Sequence, residues 1–183
     1  MGLSEDLERI AEAARAFAEP DEELAAVIPA EPAGGVRVYL CAFGEEGESR
    51  AWLALDDLGQ PVEDRRLVRD AVSIAAMCEL AEESAEGGDL EELRAQLVAL
   101  RLTENPDGIE EAEEAALALE RTIGSVPRVA TLAYLDEVGT ATRRLEQALG
   151  DSAASPFAEA MKRAMGAVEE LARDVEATYK IPL

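Results

Sequence analysis

Apolar residues along most of the chain recur every three or four positions, which is the spacing of one face of an α-helix. Residues 1–28 follow this spacing and predict N-terminal helices. A first helix is capped by Ser4 and ended by Pro20. A short helical piece over residues 21–28 follows it. The stretch 29–35 holds two prolines and two glycines, so we expect a loop there.

The pattern changes to strand-like runs between residues 36 and 56. The runs VRVYLCAF and RAWLALD are separated by GEEGES, and together they predict a β-hairpin. Both faces of this hairpin carry apolar side chains, since Tyr39 and Leu40 point to opposite sides of one strand. An isolated hairpin is marginally stable in water, so we expect helices to cover at least one face.

Residues 63–183 return to helical spacing and predict a bundle. A central helix over residues 63–86 is apolar nearly all round in AVSIAAMC. Breaks at Gly87-Gly88, TENP, Gly124 and Gly150 separate four further helices, and short connections favour antiparallel neighbours. The predicted fold is mainly α, or α+β by strict count. It is an antiparallel bundle of about six helices with one β-hairpin packed against the central helix, in a single domain over residues 1–183.

Composition narrows the classes of function. Asp and Glu number 40 against 17 Lys and Arg, and the net charge of −23 repels phosphate backbones, so no nucleic-acid partner is expected. The longest apolar runs fall short of the ~20 residues that a membrane span requires. The first residues lack the basic start and apolar stretch of a secretory signal, so we expect a cytoplasmic protein without membrane association.

Two features of the composition concern catalysis. The chain contains no histidine, which removes Ser-His and Cys-His nucleophile systems and the usual zinc ligand sets. Cys41 lies on a predicted strand and Cys78 lies inside the central helix, and each has apolar neighbours in the sequence. Free cysteine is among the most buried residue types, so both are expected to be buried thiols.

Two groups of glutamates are candidate metal ligands. Glu79 continues an apolar stripe of the central helix and Glu82 follows about one turn later, while Glu110 and Glu113 repeat that spacing near the start of a later helix. If the two helices lie side by side, the pairs can face each other. Carboxylate oxygens are preferred ligands of Mg²⁺ and Mn²⁺.

This arrangement resembles the facing carboxylate pairs that all-helical nucleotide pyrophosphohydrolases place around Mg²⁺. The resemblance implies a Mg²⁺- or Mn²⁺-dependent hydrolase of a phosphate-containing small molecule. The second pair of that family normally ends in Asp, whereas each candidate pair here ends in Glu. A basic motif for the nucleotide phosphates is also missing from the sequence.

The other interpretation of these glutamates is a solvated helix surface. In a chain this rich in Glu the spacing recurs by chance, and carboxylates near a helix N-terminus stabilise the helix dipole. The burial of Glu79 separates the two interpretations. A buried and clustered Glu79 supports an enzyme, and an exposed Glu79 argues against one.

The function expected first is that of a non-enzymatic interaction or scaffold protein, without a cofactor and of unknown specific role. We expect it to form a homo-oligomer or to bind another protein. Two observations favour this hypothesis: the last two helices carry long heptad-like apolar stripes, and the hairpin has apolar side chains on both faces. The metal-dependent hydrolase is the alternative.

Overall fold

The computed structural model describes residues 2–32, 35–45, 48–86, 89–103, 106–125, 127–150 and 156–183. Within these ranges the elements are, in chain order, α1 (Leu3–Arg15), β1 (Glu23–Glu31), β2 (Val38–Glu45), β3 (Glu48–Leu55), α2 (Arg65–Glu86), α3 (Asp89–Thr103), α4 (Pro106–Ile123), β4 (Ala130–Thr131), α5 (Leu132–Leu149) and α6 (Pro156–Ala177).

The predicted fold class, a mainly α bundle with a single hairpin, is wrong. The strands form one four-stranded mixed sheet in the order β3-β2-β1-β4, so the chain is an α+β fold with six described helices. The predicted hairpin is present as β2 and β3. β1 pairs with β2 in antiparallel fashion, and β4 pairs with β1 in parallel at Ala30 and Glu31.

The helical prediction for residues 21–28 fails because β1 contains a β-bulge. The pairing of β1 with β2 is shifted between Leu24 and Ala26, so Ala25 is an extra residue in the strand. This extra residue brings Leu24 and Val27, three positions apart, against the same hydrophobic cluster. Three positions is also a helical spacing, so a bulged strand and a short helix have the same pattern of apolar residues here.

The chain divides into two compact units. The first, called the sheet unit, comprises Met1–Ala76, Val129–Leu132 and Val168–Leu183. In it, α1 covers one face of the sheet. The cluster there combines buried residues of α1, β2 and β3: Ile10, Ala14, Tyr39, Cys41, Phe43, Leu53 and Leu55.

The outer edge of β3 is paired with backbone and side-chain groups rather than with a full strand. The Trp52 N–H donates to the Thr178 carbonyl at 3.2 Å, and the Lys180 N–H donates to the Trp52 carbonyl at 2.9 Å. The Tyr179 hydroxyl accepts from the Ala54 N–H at 2.8 Å. These bonds satisfy polar groups that would otherwise be open to pairing with another chain.

The second unit, called the helical unit, comprises Met77–Arg128 and Ala133–Ala167. Helices account for nearly all of its described residues. The helices predicted between the breaks at Gly87-Gly88, TENP and Gly124, and the helix predicted after Gly150, are confirmed as α3, α4 and α6. α5 starts at Leu132, directly after β4, which Ala130 and Thr131 form. The prediction of a single domain over residues 1–183 stays a prediction.

Candidate functional site

The predicted metal ligands lie mainly at the surface. Glu79, Glu82 and Glu110 are exposed, and Glu113 is half-buried. Across the ranges that the structure describes, no three or more His, Cys, Asp or Glu side chains come close enough together to hold a metal ion. The exposure of Glu79 favours the interpretation of these glutamates as a solvated helix surface. The metal site therefore stays a prediction without structural support.

Both cysteines are buried, as predicted, and neither belongs to a disulfide. Cys41 belongs to the core of the sheet unit, where burial raises the pKa of its thiol to about 12. A thiol with so high a pKa is neutral at physiological pH, whereas the reactive form of cysteine is the thiolate. Cys41 is therefore a packing residue.

An apolar groove lies between α3 and α4 of the helical unit, and we call it the α3/α4 groove. It has a volume of about 320 Å³. Buried Leu93, Leu97 and Ala116 line its floor. Val98 and Leu117 stand at its sides with exposed fractions of 59% and 52%. Two large apolar side chains are thus in contact with water beside an apolar depression.

The local sequence explains why the groove forms. Leu93 and Leu97 are four residues apart and share one face of α3, while Ala112, Ala116 and other buried residues make the inward face of α4. Ala116 fills little space beside the two leucines, which leaves a depression between the helices. Leu117 is one position off the inward stripe, so the helix geometry turns it toward the groove and the solvent.

Charged residues surround the groove unevenly. Arg94 of α3 forms an ion pair and hydrogen bond with Glu120 of α4 at the groove. On α4, Glu113 also lines the groove. Glu110 and Glu114 are exposed, seven and three residues before Leu117, on the same face of the helix. We call Glu110, Glu113 and Glu114 the acidic rim.

Comparisons with protein-family models, curated proteins and solved structures find no significant match. Among the described helices, none is both long and apolar enough to cross a membrane. What the chain does must therefore be inferred from its own surface. Among the described residues, the α3/α4 groove combines an apolar depression with two large exposed apolar side chains, and such a patch is typical of an interaction site.

Two other depressions are more polar. One, of about 400 Å³ between α4 and α5, is lined by small residues and by Asp136, Glu137 and Arg144. Another, of about 360 Å³ in the sheet unit, contains Arg9 and Arg37. Both arginines are already bonded within the chain, Arg37 to Glu31 at 2.6 Å and Arg9 to Asp6 at 3.1 Å.

Sequence reasoning missed the α3/α4 groove because it followed the inward stripes of the helices. Val98 and Leu117 lie off those stripes, and large apolar residues at such positions are the signal that could have indicated an exposed surface. Whether they line one depression depends on how the two helices face each other.

Proposed function

We propose that this chain is a non-enzymatic interaction protein that binds an amphipathic helix in the α3/α4 groove. The observation that carries the proposal is the combination of an apolar floor with the exposed side chains of Val98 and Leu117. Removing apolar surface from water yields roughly 25 cal/mol per Å². A partner that covers these side chains recovers that free energy.

The shape of the groove favours a helix as the occupant. α3 and α4 are antiparallel neighbours, because Arg94 near the start of α3 pairs with Glu120 near the end of α4. The space between two such helices accepts the ridge of a third. A helical partner would fill it with apolar residues spaced three and four positions apart.

The test measures binding of a fluorescent synthetic peptide with Leu at helical spacing and Gln at the other positions. We expect Leu117→Glu to weaken binding by about tenfold or more, which corresponds to about 1.4 kcal/mol. Because Leu117 is exposed, the variant keeps its fold, which circular dichroism checks. Leu58→Glu is the matched control, since Leu58 is a 77% exposed leucine of the sheet unit. Equal effects of the two substitutions would contradict the proposal.

Self-association is a separate proposal that follows from the heptad-like stripes of the last two helices. Light scattering at micromolar concentration tests it, and a strict monomer would remove it. The cytoplasmic location and the lack of a nucleic-acid partner are proposals too, based on the sequence features and the net charge of −23.

A further inference from the structure

We infer that the helix bound in the α3/α4 groove is a basic amphipathic helix of another protein, with Lys or Arg side chains facing the acidic rim. This inference rests on the proposed function, because it specifies the charge of the partner. The apolar stripe of the partner would cover Val98 and Leu117. Its basic residues would lie over Glu110 and Glu114.

The charges around the groove favour a cationic partner. The three carboxylates of the acidic rim lie within two helical turns before Leu117 on α4. Of the arginines, Arg94 is already paired with Glu120, and Arg121 lies four residues after Leu117, in the last turn of α4 and away from the acidic rim. Within the described part of the chain, neither Glu110 nor Glu114 forms an ion pair.

Lysine and arginine side chains suit this surface for a second reason. Their aliphatic stems cover apolar surface while their charged ends stay in water. A basic residue beside the apolar stripe of the partner can therefore extend over Leu117 and reach Glu114. Such a contact adds both apolar coverage and a charge pair at the same position.

A second copy of this chain is a poorer occupant. Two copies that met through this face would bring two acidic rims together, and each chain carries a net charge of −23. Like charges placed opposite each other suppress association, whereas complementary charges speed it and fix the orientation of the partner. The Arg94 and Glu120 pair marks one end of the groove, so the most basic part of the partner should lie toward the start of α4.

The experiment compares two synthetic peptides that share one stripe of leucines. One carries Lys and Arg at the remaining positions and the other carries Gln. Fluorescence anisotropy measures their dissociation constants at low salt and at about 0.5 M salt, where the Debye length falls to a few ångströms. We expect the basic peptide to bind about tenfold more tightly at low salt, with most of this preference lost at high salt.

A matched pair of double variants distinguishes the effect of the acidic rim on peptide binding from the effect of the total charge. Glu110→Gln with Glu114→Gln removes two carboxylates at the rim, four residues apart on α4. Glu8→Gln with Glu12→Gln removes two exposed carboxylates at the same spacing on α1, in the sheet unit. Both variants have the same net charge. We expect only the rim variant to reduce the preference for the basic peptide, by about threefold or more.

Each outcome decides between the alternatives. If both peptides bind equally and Leu117→Glu weakens both, the inference is wrong and the proposed function stands. If the two double variants reduce the preference equally, the preference reflects total charge and the inference is wrong. A dimer that Leu117→Glu dissociates would make a second copy the occupant and would also overturn it. If neither peptide binds, the proposed function fails together with the inference.

Discussion

The sheet unit and the helical unit leave different amounts of apolar surface in water. In the sheet unit every residue from Val38 to Gly44 is buried, and bonds from residues 178–180 occupy polar groups on the outer edge of β3. In the helical unit Val98 and Leu117 remain exposed beside a groove. Apolar surface that is already buried within the chain contributes to its stability, whereas exposed apolar surface is available to a partner.

The same contrast holds for charged side chains. In the sheet unit Lys180 forms an ion pair with Glu22, and its ammonium lies 4.7 Å from the centre of the Phe43 ring. The side chains of Lys180 and Glu22 are only 10% and 14% exposed. In the helical unit the side chains of Arg94 and Glu120 are 54% and 37% exposed. The predictions that follow test whether this difference in burial is a difference in energetic role.

The largest expected difference concerns two leucines. Leu53→Ala empties space in the core of the sheet unit and should lower the free energy of unfolding by about 2–5 kcal/mol. Leu117→Ala removes an exposed side chain and should change that free energy by no more than about 0.5 kcal/mol. Urea denaturation measures both. Equal losses would mean that Leu117 is a core residue, and the α3/α4 groove would no longer be a free surface.

The next prediction concerns the hydroxyl of Tyr179. This hydroxyl accepts from the Ala54 N–H and donates to the Val62 carbonyl, each at 2.8 Å. Tyr179→Phe leaves both backbone groups without this partner, at a cost of about 1–3 kcal/mol in the free energy of unfolding. Hydrogen exchange of the Ala54 amide should become faster. Tyr134→Phe in the helical unit is the control, and it should leave the exchange of that amide unchanged.

Alkaline pH should weaken the sheet unit through the same tyrosine. Burial raises the pKa of Tyr179 to about 12, above the value of about 10 for an unfolded tyrosine. The folded chain therefore keeps a proton that the unfolded chain loses, and stability falls as the pH rises from about 10 toward 12. Burial also raises the pKa of the Cys41 thiol to about 12, from about 9 in the unfolded chain. The decline in stability therefore begins near pH 9.

Urea midpoints between about pH 8 and pH 11.5 test this dependence. Tyr179→Phe should show a shallower decline than the parent chain, because one of the titrating groups is gone. The remaining decline belongs to Cys41 and to Tyr134, whose pKa burial also raises to about 12. A parent chain whose stability does not change over this range, or a variant with an unchanged slope, would contradict the assignment.

The sequence predicts the helices better than the strands, for reasons that particular residues make clear. Residues 63–86 are long and periodic, and Pro156 marks the start of α6 because proline is favoured at the first helical position. β4 has only two residues, which cannot show a period. β1 is long enough to show a period, but its bulge places apolar residues three positions apart, and this is also a helical spacing. Short or irregular strands therefore depend on pairing partners that a linear pattern does not contain.

The candidate site could be predicted only in part. The expectation of an interaction surface rested on apolar stripes, and the structure offers a different surface on α3 and α4. Glu79 continues an apolar stripe in the sequence, yet it is exposed, since a stripe ends where a helix leaves the core. The exposure of a residue on such a stripe depends on where the neighbouring helices end. The sequence of the stripe does not contain that information.

The smallest expected effect is that of the ion pair beside the groove. A double-mutant cycle with Arg94→Ala and Glu120→Ala should give a coupling of about 0.2–1 kcal/mol, which falls as salt is added, because exposed pairs are screened by water and ions. The same cycle at Lys180 and Glu22 should give a larger coupling that salt changes less, since both side chains are mostly buried. Equal couplings would mean that the buried ion pair of the sheet unit and the exposed ion pair of the helical unit contribute equally to stability. A strong coupling at Arg94 and Glu120 would show that this pair stabilises α3 against α4, and not only that it borders a binding surface.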